Sequence, residues 1–93
     1  MSVTPHYFGP KHVAEVERRA IDWTAALAEG DAISGSAWSV EPAGLTLSAP
    51  ALAGALASVL VAGGTSGTTH MVRNTVTTVL GYTLVEVVPL SVF

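Results

Sequence analysis

Ninety-three residues, 49% of them hydrophobic and with a formal charge of −3, make one domain with a modest core. Charged side chains are only 12% of the chain, against about 25% in soluble domains, and four basic residues cannot build a phosphate-tracking stripe, which argues against nucleic acid. With no cysteine, disulfides and thiolate metal sites are excluded.

The start, MSVTPHYFGPKH, has no basic stretch followed by an apolar run, so no signal peptide is expected. Pro5, Gly9 and Pro10 disfavour regular structure there. Residues 1–12 therefore read as an N-terminal arm. His6, Tyr7 and Phe8 put ring surface on a segment too short for its own core. They either fold back on the domain or dock on a neighbouring subunit.

Residues 11–30 carry two patterns. Val13, Val16, Ala20, Trp23 and Leu27 fall on one helical face, with Pro10 to start the helix and Gly30 to end it. Val13, Ile21 and Trp23 also share the parity of a strand. Spacing alone favours the helix.

From Ala32 onward the pattern is β. Ala32–Val40 is a strand with Trp38 and Val40 on one face, and Glu41-Pro42-Ala43-Gly44 turns the chain. Leu45 and Leu47 open the next strand, expected to stop near Pro50. Leu56–Ala62 is a near-continuous apolar run, as in a strand buried on both faces.

Gly63-Gly64-Thr65-Ser66-Gly67 is a loop with three positions open to positive φ. Thr68–Thr78 alternates, with His70, Val72, Asn74, Val76 and Thr78 as the core face, so Asn74 needs a hydrogen-bond partner. Val79-Leu80-Gly81 makes a hairpin turn with Gly81 left-handed. In the returning strand Leu84, Val88, Leu90 and Val92 face inward, Glu86 sits at a rim, and Pro89 implies an edge or a bulge. The expected core centres on Trp23, Trp38, Val72, Val76 and Leu90. Short strands at near-regular spacing predict a sandwich or barrel.

Charge is unevenly spread. After Glu41 the only charged side chains are Arg73 and Glu86. A small β domain so poor in charge has little to keep its faces and edges from other chains. The uncharged stretch from Pro42 to Thr69 is interrupted by Pro50 and by glycines, and its densest part, Ala49 to Ala62, is shorter than the roughly 18–20 residues of a membrane helix. No membrane partner is expected.

Chemistry finds little support. His6, His12 and His70 match no metal-ligand spacing. A Ser/His/Asp set drawn from Ser34 or Ser66, His70 and Asp31 lacks a nucleophile elbow. Glu15, Glu17, Glu29 and Asp31 read as a solvated face. The glycine loop resembles a phosphate cradle, but no lysine follows it. Trp23 and Trp38 suit a core, and a glycan-binding module would need one of them exposed. No catalytic residue, cofactor or metal is expected.

The spacing of Ile21-Asp22-Trp23, Leu27, Gly30-Asp31-Ala32-Ile33, Ala37-Trp38-Ser39-Val40 and Gly44-Leu45-Thr46 resembles a family of small tailed-bacteriophage virion proteins. Gly63-Gly64-Thr65, Gly67-Thr68, Val72-Arg73-Asn74, Val76-Thr77-Thr78, Gly81, Thr83-Leu84 and Leu90-Ser91-Val92 continue the likeness, which spans residues 13–92. His70 departs from it, where an aromatic such as Tyr is commoner, and so does the apolar Val79-Leu80 turn.

The resemblance implies an immunoglobulin-like β-sandwich over residues 13–93. Its first strand would be 13–23, with a short helical turn near 24–28 in place of the helix. It implies a non-enzymatic virion component made in the host cytoplasm. Capsid decoration, by clamping the major capsid protein, is the leading expectation; an adaptor between tail or fibre proteins is the alternative. His6, Tyr7, Phe8, Val79 and Leu80 are the candidate partner contacts, and a homo-oligomer is a further possibility.

Overall fold

The computed structural model describes residues 10–93. The chain is all-β, with β1 (Pro10–Lys11), β2 (Glu17–Asp22), β3 (Ile33–Glu41), β4 (Leu45–Ala53), β5 (Leu56–Gly63), β6 (Thr69–Thr78) and β7 (Thr83–Val92). One sheet has the order β1-β7-β6-β3 and the other β2-β5-β4. All neighbours run antiparallel except β1, which lies parallel to the end of β7.

The two sheets share one core. Ile21 from β2 and Ala57, Val59 and Val61 from β5 meet Val72, Val76, Val88 and Leu90 from β6 and β7. Trp23, just past β2, is 1% exposed and fills the centre, while Trp38 is half-buried against the same cluster. The five expected core residues therefore all pack on this cluster.

β6 forms as its alternation dictates. His70, Val72, Asn74, Val76 and Thr78 are all buried. Asn74 accepts a hydrogen bond from Trp23 Nε1 at 2.9 Å and donates to Ser36 Oγ at 2.8 Å and Ala37 O at 3.0 Å. The turn glycines behave as read: Gly63, Gly64, Gly67 and Gly81 all have positive φ.

Several expectations are corrected. No helix forms among the described residues. Val13 and Val16, which the helical pattern would bury, are exposed, and Trp23 is buried by strand parity instead. The expected helical turn at 24–28 is a hydrogen-bonded turn in which Ala26 N and Leu27 N donate to Trp23 O, and no helix follows from it. The first long strand begins at Glu17, because residues 12–15 turn: Glu15 Oε1 accepts from His12 N at 2.7 Å. Two residues of the expected arm, Pro10 and Lys11, form β1, while His6, Tyr7 and Phe8 lie outside the described residues.

β4 does not stop at Pro50. It resumes after a register shift between Ser48 and Ala51, where Ala49 has φ 47°. The bulge absorbs the proline that would have ended the strand. β5 is buried on one face only; Ser58, Leu60 and Ala62 on the other are half-buried. Pro89 sits where β7 has a neighbour on one side alone, since β1 covers only Ser91 and Val92.

A buried lysine joins the sheets. Lys11 is fully enclosed, and its Nζ donates to Gly63 O at 2.7 Å, His12 O at 2.8 Å and Val13 O at 3.4 Å. The ammonium thus ties β1 to the end of β5 with every proton directed at a carbonyl.

Candidate interaction surface

One end of the molecule gathers three connections: residues 23–32, the Gly54-Ala55 turn and the Val79–Tyr82 turn. Trp23 N donates to Ala55 O at 2.9 Å, which joins the first two. Val79 N donates to Ala32 O at 2.8 Å, and Leu80 N donates to Asp31 Oδ1 at 3.0 Å, which joins the first and third. Gly81, with φ 92°, closes the hairpin.

The Asp31 carboxylate also accepts from Ala32 N at 2.8 Å. Desolvation pushes its pKa up, but the nearby Thr78 hydroxyl and the Leu80, Ala32 and Val79 amides, of which Leu80 and Ala32 donate directly, outweigh this and hold it below 3.8. The charged form therefore clamps the hairpin tip.

The clamped tip is apolar. Val79 is 67%, Leu80 57% and Tyr82 51% exposed. Leu52 and Leu56, flanking the Gly54 turn at the same end, are also exposed. Five large apolar side chains thus stand on a backbone fixed by hydrogen bonds, which lowers the ordering cost of a contact. The Val79-Leu80 tip stands out in the sequence, but Tyr82, Leu52 and Leu56 do not. Their signal is the same, an apolar residue beside a glycine turn.

The outer face of the β7-β6-β3 sheet continues this character. Register places Met71 between Glu41 and Pro89, Arg73 between Ser39 and Val87, and Thr75 between Ala37 and Val85. Met71, Val85 and Val87 are exposed, with Arg73 and Glu41 the charges among them. A dimple of about 40 Å³ lies among Ser39, Glu41, Met71, Arg73 and Val87. A wider groove of about 210 Å³ runs between Ser36 and Pro50–Leu52. Both are smaller than the ~300–1,000 Å³ of ordinary ligand pockets.

The residues that raised chemical readings are engaged elsewhere. His70 is fully buried; its Nε2 accepts from Thr65 N at 3.3 Å, so Nδ1 carries the proton and donates to Pro42 O at 2.8 Å. Ser34 Oγ donates to Thr77 O at 3.2 Å, and Asp31 holds the tip, so the Ser/His/Asp set is not assembled. Among the described residues no three His, Asp or Glu side chains are grouped to hold a metal. Trp23 is 1% exposed, with its indole N–H donated to Asn74, so it offers no face for a sugar, and Asp22 accepts from Thr24 N and Oγ1.

Comparison with curated proteins finds no match. Residues 11–91 match a family model described as podophage GP4 fiber-tail adaptor protein gp77. That span runs from β1 into the last residues of β7 and takes in the whole two-sheet body. The chain therefore belongs to the podophage GP4 fiber-tail adaptor protein gp77 family.

Proposed function

We propose that this chain is a non-enzymatic adaptor of the podophage tail, joining fibre and tail proteins through its apolar loop end and charge-poor β7-β6-β3 sheet face. The observation that carries the reading is the family match over residues 11–91. Membership of that family makes the chain a virion component. Of the two virion roles the sequence suggested, it favours the adaptor over capsid decoration, which gains no support.

We read the fold as immunoglobulin-like. In support, β7, β6 and β3 stand opposite β2, β5 and β4, the order of strands G, F, C and B, E, D in that fold, with β1 as a first strand crossed to the G side. The loop end described above then corresponds to the end where the B–C, D–E and F–G connections cluster. Val79 and Leu80 are its proposed contacts, with Tyr82, Leu52 and Leu56 beside them. An interface of standard size, about 800 Å² per partner, fits a surface of this kind.

The test is co-sedimentation of the purified chain with fibre-bearing tails and, separately, with empty capsids. Binding to tails that persists in high salt is the expected result, since apolar contacts are not screened. Binding to capsids without binding to tails would overturn the reading.

A further inference from the structure

Every open sandwich has strand edges, and soluble proteins guard them with charge, proline, bulges or short length. Three of the four edges here are guarded. β2 carries Glu17, Arg18, Arg19 and Asp22, with Glu17 and Arg19 paired on its core-facing side. β4 is broken by the Ala49-Pro50 bulge. β7 is capped at one end by β1, carries Pro89, and turns Glu86 inward beside Leu84 and Val88.

β3 has none of these devices over most of its length. After the irregularity at Ile33/Gly35 it runs in unbroken register from Gly35 to Glu41 against β6, and its other side faces no hydrogen-bonded strand. GSAWSV holds no proline and no charge. The groove between Ser36 and Pro50, Ala51 and Leu52 lies along this same edge.

We propose that the Gly35–Glu41 edge of β3 is a docking site for an extended segment of a partner tail or fibre protein, which adds to the β1-β7-β6-β3 sheet as a fifth strand. Main-chain hydrogen bonds supply the pairing, and an aliphatic side chain on the core-facing side of the added strand enters the groove. Charge selects the occupant. The exposed Glu29 precedes β3 and the exposed Glu41 ends it, so an acid stands at or beyond each end of the edge. A second copy pairing antiparallel would bring Glu41 to the end of its partner's edge that the exposed Glu29 precedes, setting acid toward acid. A heterologous segment that is apolar at its centre and basic at its flanks meets no such penalty.

This inference rests on the adaptor reading, and one experiment separates the two. The full chain is mixed with tail particles assembled without it; binding is followed by co-sedimentation and amide hydrogen exchange is compared free and bound. The expected result is binding with at least tenfold slower exchange at the outward amides of Gly35–Glu41. Ala51→Asp, at an exposed position in the groove and outside the loop-end patch, is expected to weaken binding tenfold or more with an unchanged thermal midpoint. Binding with unaltered β3 exchange overturns the inference and leaves the adaptor reading standing. Binding to capsids alone overturns both. Concentration-dependent protection of β3 in the free chain overturns the inference by naming a second copy as the occupant.

Discussion

At the scale of single residues, the fold depends on polar groups placed where the core would otherwise reject them. Asn74 is the clearest case, because its amide serves Trp23, Ser36 and Ala37 at once across the two sheets. Asn74→Leu keeps the branched shape but leaves the buried indole N–H without its acceptor. We expect a loss of about 2–4 kcal/mol in urea unfolding, larger than the hydrogen bonds alone would suggest, since an unmet buried donor carries its full desolvation cost. Asp31 acts on the surface in a different way. Its folded pKa is depressed, so the stability it adds is complete above 3.8 and is lost as pH falls through the lowered value. Acid titration followed at the Leu80 amide should show a midpoint under 3.8. Asp31→Asn should abolish that titration; a Leu80 amide that titrates unchanged in the variant would show that another group holds the tip.

At the scale of elements, legibility followed the strength of local pattern. β6 was readable to the residue because its alternation is strict, and with it came the need for a partner at Asn74. That the partner is Trp23, fifty-one positions away, is a tertiary fact with no local trace. β2 was hidden because Val13, Val16, Ala20, Trp23 and Leu27 happen to satisfy helical spacing, while the competing strand signal rests on few residues. Lys11 was read as part of an arm because Pro5, Gly9 and Pro10 disfavour regular structure there, and the three convergent carbonyls that enclose it leave no local trace.

The glycine loop was legible in kind, and the structure adds its reason. At Gly64, φ is 102° and a Cβ would lie 2.7 Å from Val92 Cγ2, so the loop packs directly on β7. Gly64→Ala should destabilise by more than about 1 kcal/mol in thermal or urea melts, whereas Gly67→Ala, strained in φ alone, should cost less. The tip hairpin carries its own prediction. Leu80→Ser should leave the melting midpoint in place, because Leu80 is 57% exposed and serine adds no charge beside Asp31, and lower binding to tails by tenfold or more. Unchanged binding would remove the Val79–Leu80 tip from the interface.

At the scale of the whole molecule, charge distribution and shape point the same way. The described body measures 41 × 22 × 16 Å, a narrow block whose long axis suits strands of nine or ten residues. Its second half has two charged side chains, so its faces offer area without strong electrostatic selection. On the proposed reading such a module binds by fitting between other surfaces, where repetition around a symmetric particle would strengthen modest contacts. The sequence conveyed this character well and the address poorly, since low charge suits a capsid shell as readily as a tail. What separated them was the family to which residues 11–91 belong.

The adaptor account is tested most directly by a reconstruction of the intact virion compared with one from particles that lack this chain. The account predicts that density fitting the two-sheet body disappears from the junction of fibre and tail, and that the fibres are lost with it. Density that disappears from the capsid shell instead, with fibres still in place, would contradict it.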